Sequence, residues 1–204
     1  MKISEIFYSL QGEGARQGEP SVFIRTSGCS AKHACYAAGV RCDTEFESGT
    51  DVGMVELEER AAKLNPRRSW IVWTGGEPLD QLTLETIYYF SNKGWEQALE
   101  TSGARPLSPD MNDALSFVTV SPKVAEHVLV KHFPDPVLID ELRYVRHSGQ
   151  PIPEPALKAK HYYLSPLFDG SQPNQENIQH CIDLCLQYPQ WKLSVQIHKL
   201  LSIL

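Results

Sequence analysis

The chain has 204 residues, 42% of them hydrophobic, with 19 Lys and Arg against 25 Asp and Glu and a formal net charge of −6. That length suits one domain, residues 1–204, with a core that needs no disulfide staples, and the acid excess argues against a general nucleic-acid binder. The start, Met1-Lys2-Ile3-Ser4-Glu5-Ile6, carries no apolar targeting region and no apolar run approaches ~20 residues, which reads as a cytoplasmic protein without a membrane segment.

In chain order, Ser21-Val22-Phe23-Ile24-Arg25 reads as a strand running into a cysteine-bearing loop. Met54 to Leu64 sets Val55, Leu57, Ala61 and Leu64 among acidic residues, the spacing of an amphipathic helix. Trp70-Ile71-Val72-Trp73 is a short buried strand, and Leu82 to Phe90 a helix ended by Lys93-Gly94. Gln97 to Glu100, Phe117 to Val120, Leu142 to Val145 and Tyr162 to Leu164 supply four more strands. Asn174 to Tyr188 is a late helix, and Trp191 to Ile197 alternates like a strand. Strands alternating with helices predict a parallel α/β architecture, in which chemistry sits at the carboxyl ends of the strands.

Of five cysteines, three lie on one loop as Cys29-x5-Cys35-x6-Cys42, a distribution that fits metal binding in a reducing compartment better than disulfides. Three thiolates can hold an iron–sulfur cluster and leave one iron open to a small molecule. With His33 as a fourth ligand, the same loop would make a zinc-stabilised binding module. Cys181 and Cys185 stand four apart on the late helix among Ile178, Ile182 and Leu184, and read as core filler. Gly75-Gly76, delivered by a strand, lets the backbone approach a ligand closely. Arg25 offers a planar donor fork suited to a carboxylate, or an ion pair at the surface.

The opening Glu5-Ile6-Phe7-Tyr8-Ser9-Leu10-Gln11-Gly12-Glu13-Gly14 resembles the leading signature of the 7-carboxy-7-deazaguanine synthases, radical S-adenosylmethionine (SAM) enzymes of queuosine and deazapurine biosynthesis. The resemblance continues through Phe23-Ile24-Arg25, Gly28-Cys29, Cys42-Asp43-Thr44, Thr74-Gly75-Gly76-Glu77-Pro78, Ser121-Pro122-Lys123 and Gln196-x-His198-Lys199, so it spans essentially the whole chain. Gly-Gly-Glu-Pro is shared by many radical SAM enzymes, whereas the opening and the Cys-Asp-Thr end of the loop are specific. The loop departs from the usual Cys-x3-Cys-x2-Cys, because Gly39 stands three before Cys42. The middle ligand therefore falls to Cys35, with Ala37, Ala38 and Gly39 small enough for a compact detour.

The resemblance implies an α/β fold, an incomplete parallel (β/α) barrel of about six strands. It implies a carbon–nitrogen lyase that converts 6-carboxy-5,6,7,8-tetrahydropterin to 7-carboxy-7-deazaguanine by C6 hydrogen abstraction, ring contraction and loss of ammonia. Its cofactors would be a [4Fe-4S] cluster on Cys29, Cys35 and Cys42, SAM, and Mg²⁺ with Thr44 as an oxygen ligand. SAM would meet Gly76, Glu77, Ser102, Ser121, Pro122 and Lys123, and the pterin Leu10, Gln11, Gly12, Arg25, Thr74 and the terminal Leu204. A flavodoxin or ferredoxin would deliver the electron, and the chain would form a homodimer. A glycyl-radical activase shares the cluster and SAM elements, but the Leu-Gln-Gly-Glu-Gly opening speaks against it. No general acid or base is assigned, and His198 is left as a structural residue.

Overall fold

The computed structural model describes the chain except for residues 38–41, 43, 135–136, 171 and 204. Its strands are β1 (Lys2–Leu10), β2 (Pro20–Thr26), β3 (Thr50–Asp51), β4 (Trp70–Gly75), β5 (Glu96–Thr101), β6 (Phe117–Val120), β7 (Ile139–Arg146), β8 (Ala159–Pro166) and β9 (Lys192–Leu193). The helices are α1 (Lys32–Ala37), α2 (Met54–Leu64), α3 (Leu84–Asn92), α4 (Pro109–Ala114), α5 (Glu126–His132), α6 (Gln175–Gln187) and α7 (Ile197–Leu201). Among the described residues the strands form one sheet in the order β3-β1-β2-β4-β5-β6-β7-β8-β9, and the sheet does not close on itself.

The expected six strands correspond to β2 and β4 to β8, which run parallel. The total of nine corrects the expected strand number. β1 is an antiparallel partner of β2, and β3 and β9 are two-residue edges that carry too few side chains to show a period. The strand expected over Trp191 to Ile197 shrinks to β9, because the chain turns at Ser194 and enters α7 at Ile197.

Period-two alternation divides the sheet into two faces. On the outer face, Val22, Ile24, Ile71, Trp73, Leu99, Val118, Leu142 and Leu164 pack with helix residues such as Leu57, Ile87, Phe90, Leu129 and Leu184. Cys181 belongs to this core at 0% exposure with Cys185 against it, as expected of small apolar filler. The inner face carries a smaller apolar floor of Phe7, Phe23, Val72 and Ala98, with Phe7 and Phe23 stacked at 5.0 Å.

The next inner layer is polar, and the register explains why. Glu5 pairs with Arg25, Arg25 with Thr74, Glu100 with Thr119, and Thr119 with Glu141. These side chains therefore share one level above the floor, and a polar ring of this kind marks a ligand-facing lumen rather than a core.

Candidate active site

The cysteine loop leaves the carboxyl end of β2 and is pinned at its root to the turn after β4. Gly76 N–H donates to the Thr26 carbonyl at 3.0 Å and Glu77 N–H to the Gly28 carbonyl at 3.0 Å. A Cβ on Gly76 would sit 1.8 Å from the Gly28 oxygen and 3.2 Å from Cys29 Cβ, so only glycine permits this approach. Ser30 N–H, on the same loop, donates to Asp80 at 2.9 Å.

Cys29 and Cys35 are half-buried and Cys42 is exposed. Burial pushes the Cys29 thiol up, and the neighbouring Glu77, Cys35 and Cys42 push it further. Burial also raises Cys35, against the charge of Lys123, with Cys42 again adding to the rise. The three sulfurs thus lie within one another's electrostatic reach, and Lys123 is the cation within reach of Cys35 and Cys42. The detour at 38–41 lies outside the described residues. Among the described residues, no three His, Cys, Asp or Glu side chains enclose a single metal ion. Thr44 follows the loop as a half-buried residue.

Glu77 is fully buried, close enough to Cys29 for its charge to be felt there. Its carboxylate accepts from Thr101 Oγ1 at 2.7 Å, Ser102 N at 2.9 Å, Leu79 N at 3.2 Å and, closely, Ser102 Oγ. Burial pushes its pKa up against these four donors. Lys123 N–H donates to the Ser102 carbonyl at 2.9 Å, Ser121 N–H to Thr101 at 2.8 Å, and Lys123 Nζ to Ser121 Oγ at 2.9 Å. The ends of β4, β5 and β6 are thereby laced together. Gly76, Glu77, Ser102, Ser121, Pro122 and Lys123, read separately along the sequence, form one rim at the carboxyl end of the sheet.

The Leu10-Gln11-Gly12 segment arrives differently. β1 is antiparallel, so its carboxyl end lies beside the start of β2, where Leu10 pairs with Pro20. The loop between them turns back into the lumen and reaches the far side of the sheet. Gln11 Nε2 donates to Glu100 at 3.1 Å, Gly14 N to Ser194 Oγ at 2.9 Å, Ala15 N to Glu141 at 2.7 Å, and Ile197 N to the Gly12 carbonyl at 3.1 Å. Gly14 has φ +70°, and a Cβ there would stand 2.2 Å from the Glu141 carboxylate, so the crossing needs glycine. Leu10 stays at the surface, whereas Gln11 is buried.

Arg25 pairs with Glu5 at 2.7 Å and lies 4.8 Å over the Phe7 ring, leaving it one third exposed at the mouth. Thr74 Oγ1 donates to Glu100 at 3.1 Å. Leu204 lies outside the described residues. The lumen also assembles Glu13, Glu141 and Arg143, which sequence reasoning did not select. For Glu141 and Arg143 a signal was available as a strand, Ile139-Asp140-Glu141-Leu142-Arg143, with an acid and a base two apart on one face.

No family model matches the chain. A 7-carboxy-7-deazaguanine synthase of Bacteroides thetaiotaomicron is 34% identical to it over 206 residues, covering 99% of this chain and 98% of that protein. The corresponding synthase of Bradyrhizobium diazoefficiens is 37% identical over 221 residues, with 98% of each chain covered. The chain belongs to the 7-carboxy-7-deazaguanine synthase family. A crystal structure of QueE from Escherichia coli covers 96% of this chain and 93% of its own, with a TM-score of 0.61 at 22% identity. That likeness shows a common fold, and with it the open, mostly parallel sheet of this synthase-family chain. No helix among the described residues is long and apolar enough to cross a membrane.

Proposed function

We propose that this chain converts 6-carboxy-5,6,7,8-tetrahydropterin to 7-carboxy-7-deazaguanine as a radical SAM carbon–nitrogen lyase. The observation that carries the reading is near full-length similarity to curated synthases at 32–37% identity. Loss of ammonia balances the reaction without net oxidation, so SAM is regenerated. The reading includes a cytoplasmic homodimer that takes its electron from a flavodoxin or ferredoxin.

The loop's chemistry suits a [4Fe-4S] cluster: three thiols of one loop feel one another's charge, Lys123 lies in reach of Cys35 and Cys42, and Gly76 comes close to Cys29. When bound, the cluster and SAM supply the species that takes hydrogen from C6. Cys29, Cys35 and Cys42 would ligate the cluster. The rim of Gly76, Ser102, Ser121, Pro122 and Lys123 would receive SAM, with Glu77 fixing the rim from behind. Gln11, Gly12, Thr74 and Leu10 would border the pterin, and Leu204 would close the site. The inner-face floor of Phe7, Phe23, Val72 and Ala98 offers a dry surface to a flat heterocycle.

The deciding experiment is anaerobic incubation of iron- and sulfide-loaded protein with SAM, a reductant and the pterin. 7-Carboxy-7-deazaguanine should accumulate while SAM is not consumed stoichiometrically. SAM cleavage without that product would overturn the substrate assignment.

Arg25 would receive the pterin carboxylate. Its pair with Glu5 is partly exposed and adds little to stability, so the residue can be removed without unfolding the chain. Arg25→Ala should weaken pterin binding by about 1.5–3 kcal/mol, the worth of a hydrogen bond to a charged group, and leave uncoupled SAM cleavage in place. Equal loss of both activities would place Arg25 in the scaffold. Thr44 would lend its hydroxyl oxygen to Mg²⁺, which keeps octahedral oxygen coordination. Thr44→Val preserves the branched shape, so turnover should fall and respond less to added Mg²⁺. Superimposable Mg²⁺ titrations for the two proteins would remove that role.

A further inference from the structure

One guanidinium in the lumen meets three carboxylates from three different segments. Arg143 Nη2 lies 3.2 Å from Glu100 on β5 and 3.9 Å from Glu13 in the β1–β2 loop, and Nη1 lies 3.2 Å from Glu141 on its own strand. The side chains of Arg143 and Glu141 are 7% and 1% exposed, whereas those of Glu13 and Glu100 keep 17% and 22%. The buried pair thus lies beneath two carboxylates that reach open space.

Three acids crowded in low dielectric would protonate or swing apart unless a cation held them. Burial alone raises Glu100, but the charge of Arg143 and hydrogen bonds from Arg143, Thr74 and Gln11 hold it below the usual carboxylate range. Glu141 goes the other way, pushed up by burial despite Arg143 and the Ala15 N–H. The other groups whose fields reach this cluster are Arg16, Lys123 after β6 and Tyr163 on β8.

We propose that Arg143 is a positioning residue: by bridging Glu13, Glu100 and Glu141 it fixes the Glu100 carboxylate toward the lumen, where the N–H-bearing edge of a ring ligand docks. Two lumen-facing carboxylates repel a carboxylate ligand, so the cluster also dictates which way round such a ligand enters. Its acidic end must point elsewhere, toward the Arg25 side, where Arg25 pairs with Thr74 from the neighbouring strand. The pterin has both ends, and in that respect the inference rests on the proposed function.

The test is pterin affinity, measured calorimetrically under anaerobic conditions from acid to mildly alkaline pH, for wild type, Arg143→Met and Arg143→Lys. Arg143→Met strands the carboxylates, and its affinity at neutral pH should fall about 10- to 100-fold. Glu100 must then ionise without its cation, so the acid limb of binding should move to higher pH. Iron content and pterin-independent SAM cleavage should stay at wild-type levels. Arg143→Lys returns the charge without the fork: the acid limb should return to its wild-type position, with affinity about three- to tenfold below wild type.

Wild-type affinity and limb in Arg143→Met would overturn the inference. So would an unmoved limb with pterin binding and SAM cleavage lost in proportion. If Arg143→Met does not fold, Arg143→Lys decides: wild-type affinity overturns the inference, and the weakened affinity at an unmoved limb supports it. Failure of the wild-type protein to bind the pterin would overturn the functional reading itself, and the inference with it.

Discussion

Replacement of Cys29, Cys35 or Cys42 by alanine, one at a time, is expected to abolish reductive SAM cleavage and deplete bound iron. A cubane held by three thiolates cannot lose one without exposing a second iron to solvent. The electrostatic coupling among the three sulfurs is the structural ground for treating them as one ligand set, although their spacing along the chain is uneven. The control is Cys181→Ala. Its thiol sits at 0% exposure in the outer core, and burial pushes its pKa up to about 12, so it is a poor thiolate and a good filler. That variant should keep its iron and lose only stability, by the methylene-scale cost of a small core cavity. Iron and sulfide analysis of anaerobically reconstituted proteins, with 5′-deoxyadenosine release as the second readout, checks all four. Full iron and activity in Cys35→Ala would overturn the ligand assignment at its most unusual point.

The sequence exposes the cysteine set because ligands on one loop stay close whatever the fold does. The same holds for the six parallel strands, whose apolar runs and turn signals are local. The lumen is different. Glu13, Glu100 and Arg143 lie far apart in the chain, and their meeting depends on the register from β4 to β7 and on a loop that turns back over the inner face of the sheet. No local pattern marks that loop as a crossing, and its glycines become intelligible only once Glu141 is seen occupying the space beside Gly14. Glu77 was legible as part of the Gly-Gly-Glu-Pro motif, but its direction was not. A motif names a residue without saying which way its side chain turns, and here the carboxylate turns inward. The two-residue edges escaped for the opposite reason, since a strand that short has no alternation to read.

That inward turn makes Glu77 the residue whose loss should disturb the most of the rim at once. Each of its oxygens accepts two donors, Thr101 Oγ1 and Leu79 N on one, Ser102 N and Oγ on the other. Glu77→Gln keeps the shape but turns one oxygen into a donor. Hydroxyls can rotate away, but a backbone N–H cannot, so at least one is left facing an amide N–H₂ in a buried site. That costs about 1–3 kcal/mol for each stranded donor, readable as a lower midpoint in urea. Because burial raises the folded pKa of Glu77, its protonated form favours the fold. The advantage of wild type over Glu77→Gln should therefore be fully present below the ordinary carboxylate range and shrink as pH rises through the raised folded value. Ser102 and Lys123 hang on the same lacing, so SAM affinity should fall with stability while iron content holds, since the expected cluster ligands are the three loop cysteines. Unchanged SAM affinity in a destabilised Glu77→Gln would confine the residue to the scaffold and detach the rim from the turn.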